Sequence, residues 1–308
     1  MRKGIILGLI CVIVALLVFG CGGEKKLIGD YLEKGIPVSY KPAQGQKVFY
    51  RSNADNLTEF TEQGYHQSTL SKTTSWESFT VDSVENEITG VTYKFLGSET
   101  GIFQNGMYQP QREEDDIIGQ ELSIIVDTDG KLIGWFGLED LERDESGVDR
   151  GEMMASNYAS IFFDHFPQEL LKIGSEWVRE NAMDVNTKEG DMHQMTKKIY
   201  TVQDFVEKDG HPCVKCKIKI IIDNTGEGTV DNEGTTYHYY NEGRGEGNGT
   251  VYFDFKAGYP IYSMFNWILD FTITSVDEST QEENSFSYYQ EQKVTYHLIT
   301  ESDIPVQK

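Results

Sequence analysis

The chain has 308 residues, of which 38% are hydrophobic and 25% charged; 50 Asp plus Glu against 27 Lys plus Arg leave a formal charge of −23. That excess excludes a general nucleic-acid binder, because sequence-independent affinity for phosphate comes from clustered Lys and Arg. The apolar fraction excludes overall disorder, and 17 Tyr, 16 Phe and 30 Gly beside only 7 Pro favour strands and turns over helix bundles.

Residues 1–20 have the basic start (Arg2, Lys3) and uncharged apolar run of a secretory signal. The run ends at Val18-Phe19-Gly20-Cys21, which resembles a bacterial lipobox, although Phe19 stands where a small or aliphatic residue is usual. The resemblance implies that Cys21 is lipidated and becomes the mature N-terminus, a multi-chain anchor that holds firmly to a bilayer. The alternative is an uncleaved signal anchor, and both tether the remainder outside the cytoplasm. Cleavage would leave 288 residues and, with Arg2 and Lys3 gone, a charge of −25. So acidic a body is repelled by anionic membrane surfaces, and its attachment must rest on Cys21 or on the uncleaved helix. Gly22 rather than Asp after the lipidated Cys favours the outer membrane in a Gram-negative organism.

Residues 21–44 read as anchor and spacer, with one short helix around Leu27 to Leu32. Residues 45–148 form a first β half. There Val91, Tyr93 and Phe95 alternate with Thr92 and Lys94, and Leu122, Ile124 and Val126 lead through Asp127-Thr128-Asp129-Gly130 into a returning strand, a hairpin signature. Residues 149–172 form a central helix, since Met154, Tyr158, Ile161, Phe162 and Phe166 recur at helical spacing until Pro167 stops or bends it.

Residues 173–308 are the second β half. Val214, Cys216, Ile218 and Ile220 share one face of a strand, and Cys213, Lys215, Lys217 and Lys219 take the other. That alternation forbids a Cys213–Cys216 disulfide, since three strand steps span about 10 Å against a limit near 7 Å between Cα atoms. A core Cys216 and a surface-facing Cys213 are expected. The longest alternation places Ile261, Ser263, Phe265, Trp267, Leu269, Phe271 and Ile273 on one face. Strands of this length must twist and curl, so the expected fold is mainly β: a long, strongly curved antiparallel sheet or half-barrel with one central α-helix.

Element order is compatible with two repeated halves. The strand opening at Gly45 answers one opening at Gly174, Thr80–Glu85 answers Thr201–Val206, and the turn at Asp127 answers one at Asp254; the offsets drift from 129 to 121 to 127.

Phe166-Pro167 followed by Ile173-Gly174-Ser175-Glu176-Trp177, behind a lipobox, resembles a domain-of-unknown-function family of bacterial lipoproteins. The architecture also resembles the LolA/LolB-like lipoprotein-carrier half-barrel, and that resemblance implies a concave apolar face able to hold acyl chains. Neither supplies catalytic residues to carry over.

G-x-S-x-G, H-E-x-x-H and P-loop motifs are absent from the sequence, and six scattered His lack metal-ligand spacing, so no catalytic residue, metal site or cofactor is nominated and a non-enzyme is expected. Gly243–Gly249 reads as a flexible Gly-rich turn, and Glu113-Glu114-Asp115-Asp116 as a solvated surface. The aromatic rows are the stronger signal. Phe95, Tyr158, Phe162, Phe265, Trp267 and Phe271 are the candidate lining of a groove for a lipid or another hydrophobic molecule. The competing expectation is a structural or protein-interaction lipoprotein of the cell envelope, with these residues packing a filled core beneath the helix.

Overall fold

The computed structural model describes residues 24–29, 31–38, 42–62, 64–85, 88–109, 117–127, 131–138, 150–162, 166–167, 169–186, 190–232 and 235–305. Cys21, the acidic run at 113–116 and the turn residues 128–130 lie outside them. In chain order the elements are β1 (Lys25–Lys26), α1 (Tyr31–Lys34), β2 (Lys47–Glu62), β3 (Tyr65–Glu85), β4 (Ile88–Gln104), β5 (Met107–Gln109), β6 (Glu121–Asp127) and β7 (Leu132–Phe136). They continue with α2 (Arg150–Phe162), β8 (Glu176–Asn186), β9 (Gly190–Lys208), β10 (His211–Asn232), β11 (Thr235–Asp254), β12 (Tyr259–Asp277) and β13 (Glu283–Ile299).

All thirteen strands join one antiparallel sheet in the order β1-β9-β10-β11-β12-β13-β2-β3-β4-β6-β7, with β8 also on β9 and β5 on β4. The sheet is mainly a meander whose two runs meet where β13 pairs with β2, from Ser287 opposite Thr61 to Ile299 opposite Phe49. It does not close into a barrel. β10 has 22 residues, a contour of about 70 Å, against the ordinary strand of about 20 Å.

The alternation read from the sequence orders the core. Val214, Cys216, Ile218 and Ile220 are each at most 3% exposed, whereas Lys217 and Lys219 face solvent. α2 lies on the same concave side, nearest β6 and β7. Ala155 and Ala159, one turn apart and buried, let its backbone approach the sheet. Phe162 is its wedge, with ring centroids 4.9 Å from Tyr50, 5.3 Å from Phe79 and 5.5 Å from Tyr296.

The two runs of strands open alike. Gly45 N–H donates to Val81 O at 2.8 Å, and Val81 N–H returns to Gln46 O at 2.9 Å. Gly174 N–H donates to Val202 O at 2.8 Å, and Val202 N–H returns to Ser175 O at 2.9 Å. Both glycines need the left-handed conformation, at φ +80° and +85°. Deeper in the sheet, Val81 pairs with Val91 and Val91 with Ile124, as Val202 pairs with Cys216 and Cys216 with Val251. The halves are continuous rather than separate globules.

Four expectations are corrected. The central helix occupies Arg150–Phe162, not 149–172: Pro167 cannot continue a helix, and Leu171 instead exchanges backbone hydrogen bonds with Ile36 at 2.9 and 2.8 Å. The segment read as a spacer is partly packed on the body. β1 pairs with β9, α1 covers 31–34 rather than 27–32, and Ile36 and Val38 are buried.

Cys213 is not surface-facing. It is fully buried on the convex side in a second cluster with Val206, Tyr252 and Ile261. Ile261 is there because the β11–β12 register shifts at Tyr252/Phe253 and turns it off the concave row.

Gly243–Gly249 is not a turn; it is the middle of β11. Gly243, Gly245, Gly247 and Gly249 stand opposite Phe271, Leu269, Trp267 and Phe265. A Cβ on Gly247 would sit 2.7 Å from the Trp267 Cβ, and one on Gly249 would sit 2.8 Å from Met264 O. Curling crowds the concave rows, and a bare backbone under the neighbouring aromatics relieves that crowding.

Candidate ligand-binding cavity

Between α2 and the concave face an open cavity of about 430 Å³ remains. Met153, Met154 and Tyr158 form the helix side; Ile220 and Ile222 of β10, Phe265, Trp267 and Leu269 of β12, and Val294 and Tyr296 of β13 form the sheet side. Polar groups are fewer, and amides dominate them: Asn157, Asn181, Gln194, Gln290 and Gln292, with Ser156, Thr196 and Lys198. A mostly apolar pocket of this size with a few fixed polar groups suits a small amphipathic molecule.

A buried polar chain lies beside it. Tyr158 stacks on Tyr93 at 3.9 Å, and the Tyr93 hydroxyl donates to the Glu77 carboxylate, which also accepts from Ser52 Oγ at 3.2 Å. Burial outweighs these hydrogen bonds and pushes the Glu77 carboxyl up to about 7. Burial first, then the neighbouring Glu77 charge, raises the phenols of Tyr93, Tyr158 and Tyr296, so they remain hydrogen-bond donors at neutral pH.

The expected groove residues divide. Tyr158, Phe265 and Trp267 line the cavity. Phe95 and Phe162 do not: both are buried in the packed core, Phe95 against Tyr93 at 5.3 Å. Phe271 stands farther along β12, its ring 4.3 Å from Tyr288, in a separate open depression of about 470 Å³. Helical periodicity alone cannot separate residues that plug a concavity from residues that border what is left of it.

Lys198 and Glu77 were missed. The adjacent pair Lys197-Lys198 carries a signal for the first, because a strand must turn one of two neighbours inward. Lys197 faces out to Glu180 at 2.8 Å, and Lys198 faces the cavity. Glu77 is carried inward at the register shift between Trp76 and Glu77, which no periodic pattern reports.

Other titratable groups have structural work. His211 Nδ1 lies 2.8 Å from Asp254 Oδ2, but Asp254 Oδ1 holds the following turn through the N–H groups of Lys256 and Ala257. Nearby, burial pushes the Cys213 thiol up to about 12, far from a thiolate nucleophile at neutral pH. On the convex side Glu24 accepts two hydrogen bonds from Lys215 Nζ, at 2.8 and 2.9 Å, and one from the Tyr252 hydroxyl.

No protein-family profile matches the chain, and no curated protein matches it. Among solved structures it is similar to outer-membrane proteins at low scores. OccK11 of Pseudomonas aeruginosa is 6% identical at a TM-score of 0.20, covering 85% of this chain and 100% of that one. Salmonella typhi OmpF is 7% identical at 0.24, covering 81% and 98%. A major outer membrane protein of Thermus thermophilus is 11% identical at 0.19, covering 82% and 99%. Likeness at this level carries no argument about this chain.

Proposed function

We propose that this is a lipid-anchored extracytoplasmic protein of the cell envelope that binds a lipid or another hydrophobic molecule beneath α2, without catalysis. The observation that carries the reading is the cavity of about 430 Å³ left open between the helix and the concave face, lined by Met154, Tyr158, Phe265, Trp267 and Leu269. Its mostly apolar lining beside a few polar groups is what a bound amphiphile requires. The test is organic extraction of the purified full chain followed by mass spectrometry, with uptake of a fluorescent fatty acid measured in parallel. A co-purified or stably bound amphiphile supports the reading, and an empty protein with no uptake refutes it.

The anchor is proposed at Cys21, in the outer membrane if the organism is Gram-negative, and is tested separately. Incorporation of radiolabelled palmitate should occur in the wild type and vanish in Cys21→Ser. One observation favours the second reading, a structural or interaction lipoprotein. Ala155, Ala159 and Phe162 already fill part of the concavity. Reproducible in-cell crosslinking to one envelope protein, together with an empty cavity, is the result that would select it.

A further inference from the structure

Resting on the reading that the cavity beneath α2 binds an amphiphile, we propose that its ligand is a single acyl chain ending in an anionic headgroup, a carboxylate or phosphate, and that the headgroup meets Lys198. The charge of the wall is the first observation. Lys198 is the only Asp, Glu, Lys, Arg or His among the described lining residues, in a chain where acids outnumber bases 50 to 27. Described lining residues that include one ammonium and no carboxylate, in so acidic a protein, are complementary to an anion.

Placement is the second observation. Lys198 is the register partner of Ile220 on β10, a cavity residue, and of Arg179 on β8, so a second cation stands beside it on the same face. Lys198 Nζ lies 5.5 Å from the centroid of the Phe265 ring, which itself forms apolar wall. Charge and apolar surface therefore adjoin, as the head and tail of an amphiphile do. An ammonium has three N–H donors, so Lys198 can keep its other contacts while donating to a headgroup. Gln194 and Thr196 of the same strand also line the cavity and offer further donors.

The experiment is native mass spectrometry of the purified full chain in non-ionic detergent after incubation with palmitic acid, palmitoyl lysophosphatidic acid or methyl palmitate. A charge-assisted hydrogen bond should favour an anionic probe over the ester by about tenfold or more. The preference should fall to the ester level in Lys198→Met and persist in Lys198→Arg. Which anionic probe is retained distinguishes a free fatty acid from a phospholipid source. Equal occupancy by acid and ester in the wild type overturns the proposal, as does a preference that survives in Lys198→Met. Unchanged ester occupancy in Lys198→Met shows that its cavity is intact; if that variant binds nothing, Lys198→Gln repeats the comparison and decides. Equal binding of the ester and the acids leaves the cavity reading standing and removes only the headgroup, whereas binding of none of the three removes both.

Discussion

Replacing Glu77 by Gln should flatten the dependence of stability on pH near neutrality. Glu77 is 3% exposed, and its carboxyl is raised from 4.5 to about 7 because burial outweighs its two hydrogen bonds. Below the unfolded value the group is protonated in both states and costs nothing. As pH rises from 4.5 towards 7, the unfolded chain loses the proton while the folded chain keeps it, so stability falls; above about 7 the loss is complete. At 1.36 kcal/mol per unit the full loss is about 3 kcal/mol. Because the sequence pI is near 4.6, solubility confines the measurement to pH 5.5 and above, where roughly 2 kcal/mol of that loss remains to be seen. Urea unfolding of wild type and Glu77→Gln from about pH 5.5 to 8 isolates it, since every other titrating group is common to both proteins. Their unfolding free energies should converge or cross by about 2 kcal/mol over that interval in favour of the variant at high pH. Parallel pH profiles would refute the claim that this carboxyl is buried and protonated near neutrality.

Three further outcomes follow from the packing. Phe162→Ala removes the wedge between α2 and the sheet and should cost about 3–5 kcal/mol in the same urea assay; a loss below about 1 kcal/mol would mean that α2 is not docked as described. Gly247→Ala drives a Cβ against the Trp267 Cβ and should lower the thermal midpoint by several degrees, whereas an unchanged midpoint would show that the β11–β12 approach is looser. Cys213 and Cys216 are both buried, so peptide mapping after brief iodoacetamide treatment at neutral pH should find neither alkylated until the chain is unfolded. Rapid labelling of Cys213 in the native protein would overturn its place in the convex cluster.

Much of the sheet was legible because burial on one face imposes a period of two. Val214 to Ile220 and Phe265 to Leu269 carry it plainly, and their length alone demanded a curled sheet. Gly243 to Gly249 carry the same period, yet glycine is first read as a turn former; only their partners on β12 disclose a row of deliberately absent side chains. Cys213 was misjudged for another reason. Its strand position points it outward, and it is buried by Val206, Tyr252 and Ile261 from three other strands, a contact that local pattern does not encode. The cavity was half legible. The sequence marks aromatic rows, but how far Phe162 and Phe95 fill the concavity, and therefore which of Tyr158, Phe265, Trp267 and Phe271 border the remaining space, depends on packing across the sheet.

If Cys21 carries the proposed anchor, the hold of Lys215 and Tyr252 on Glu24 would shorten the leash of the whole molecule. Glu24 is three residues beyond Cys21, and three residues extend at most about 10 Å. With acyl chains on Cys21, the convex surface around Lys215 would ride within that distance of the bilayer, so the body would lean over the membrane at a set inclination instead of swinging freely on a long stem. Repulsion between so acidic a body and anionic headgroups would oppose any closer approach and so help to hold that inclination. Breaking the hold with Glu24→Ala would lengthen the reach without touching the anchor, turning a fixed post into a tethered one.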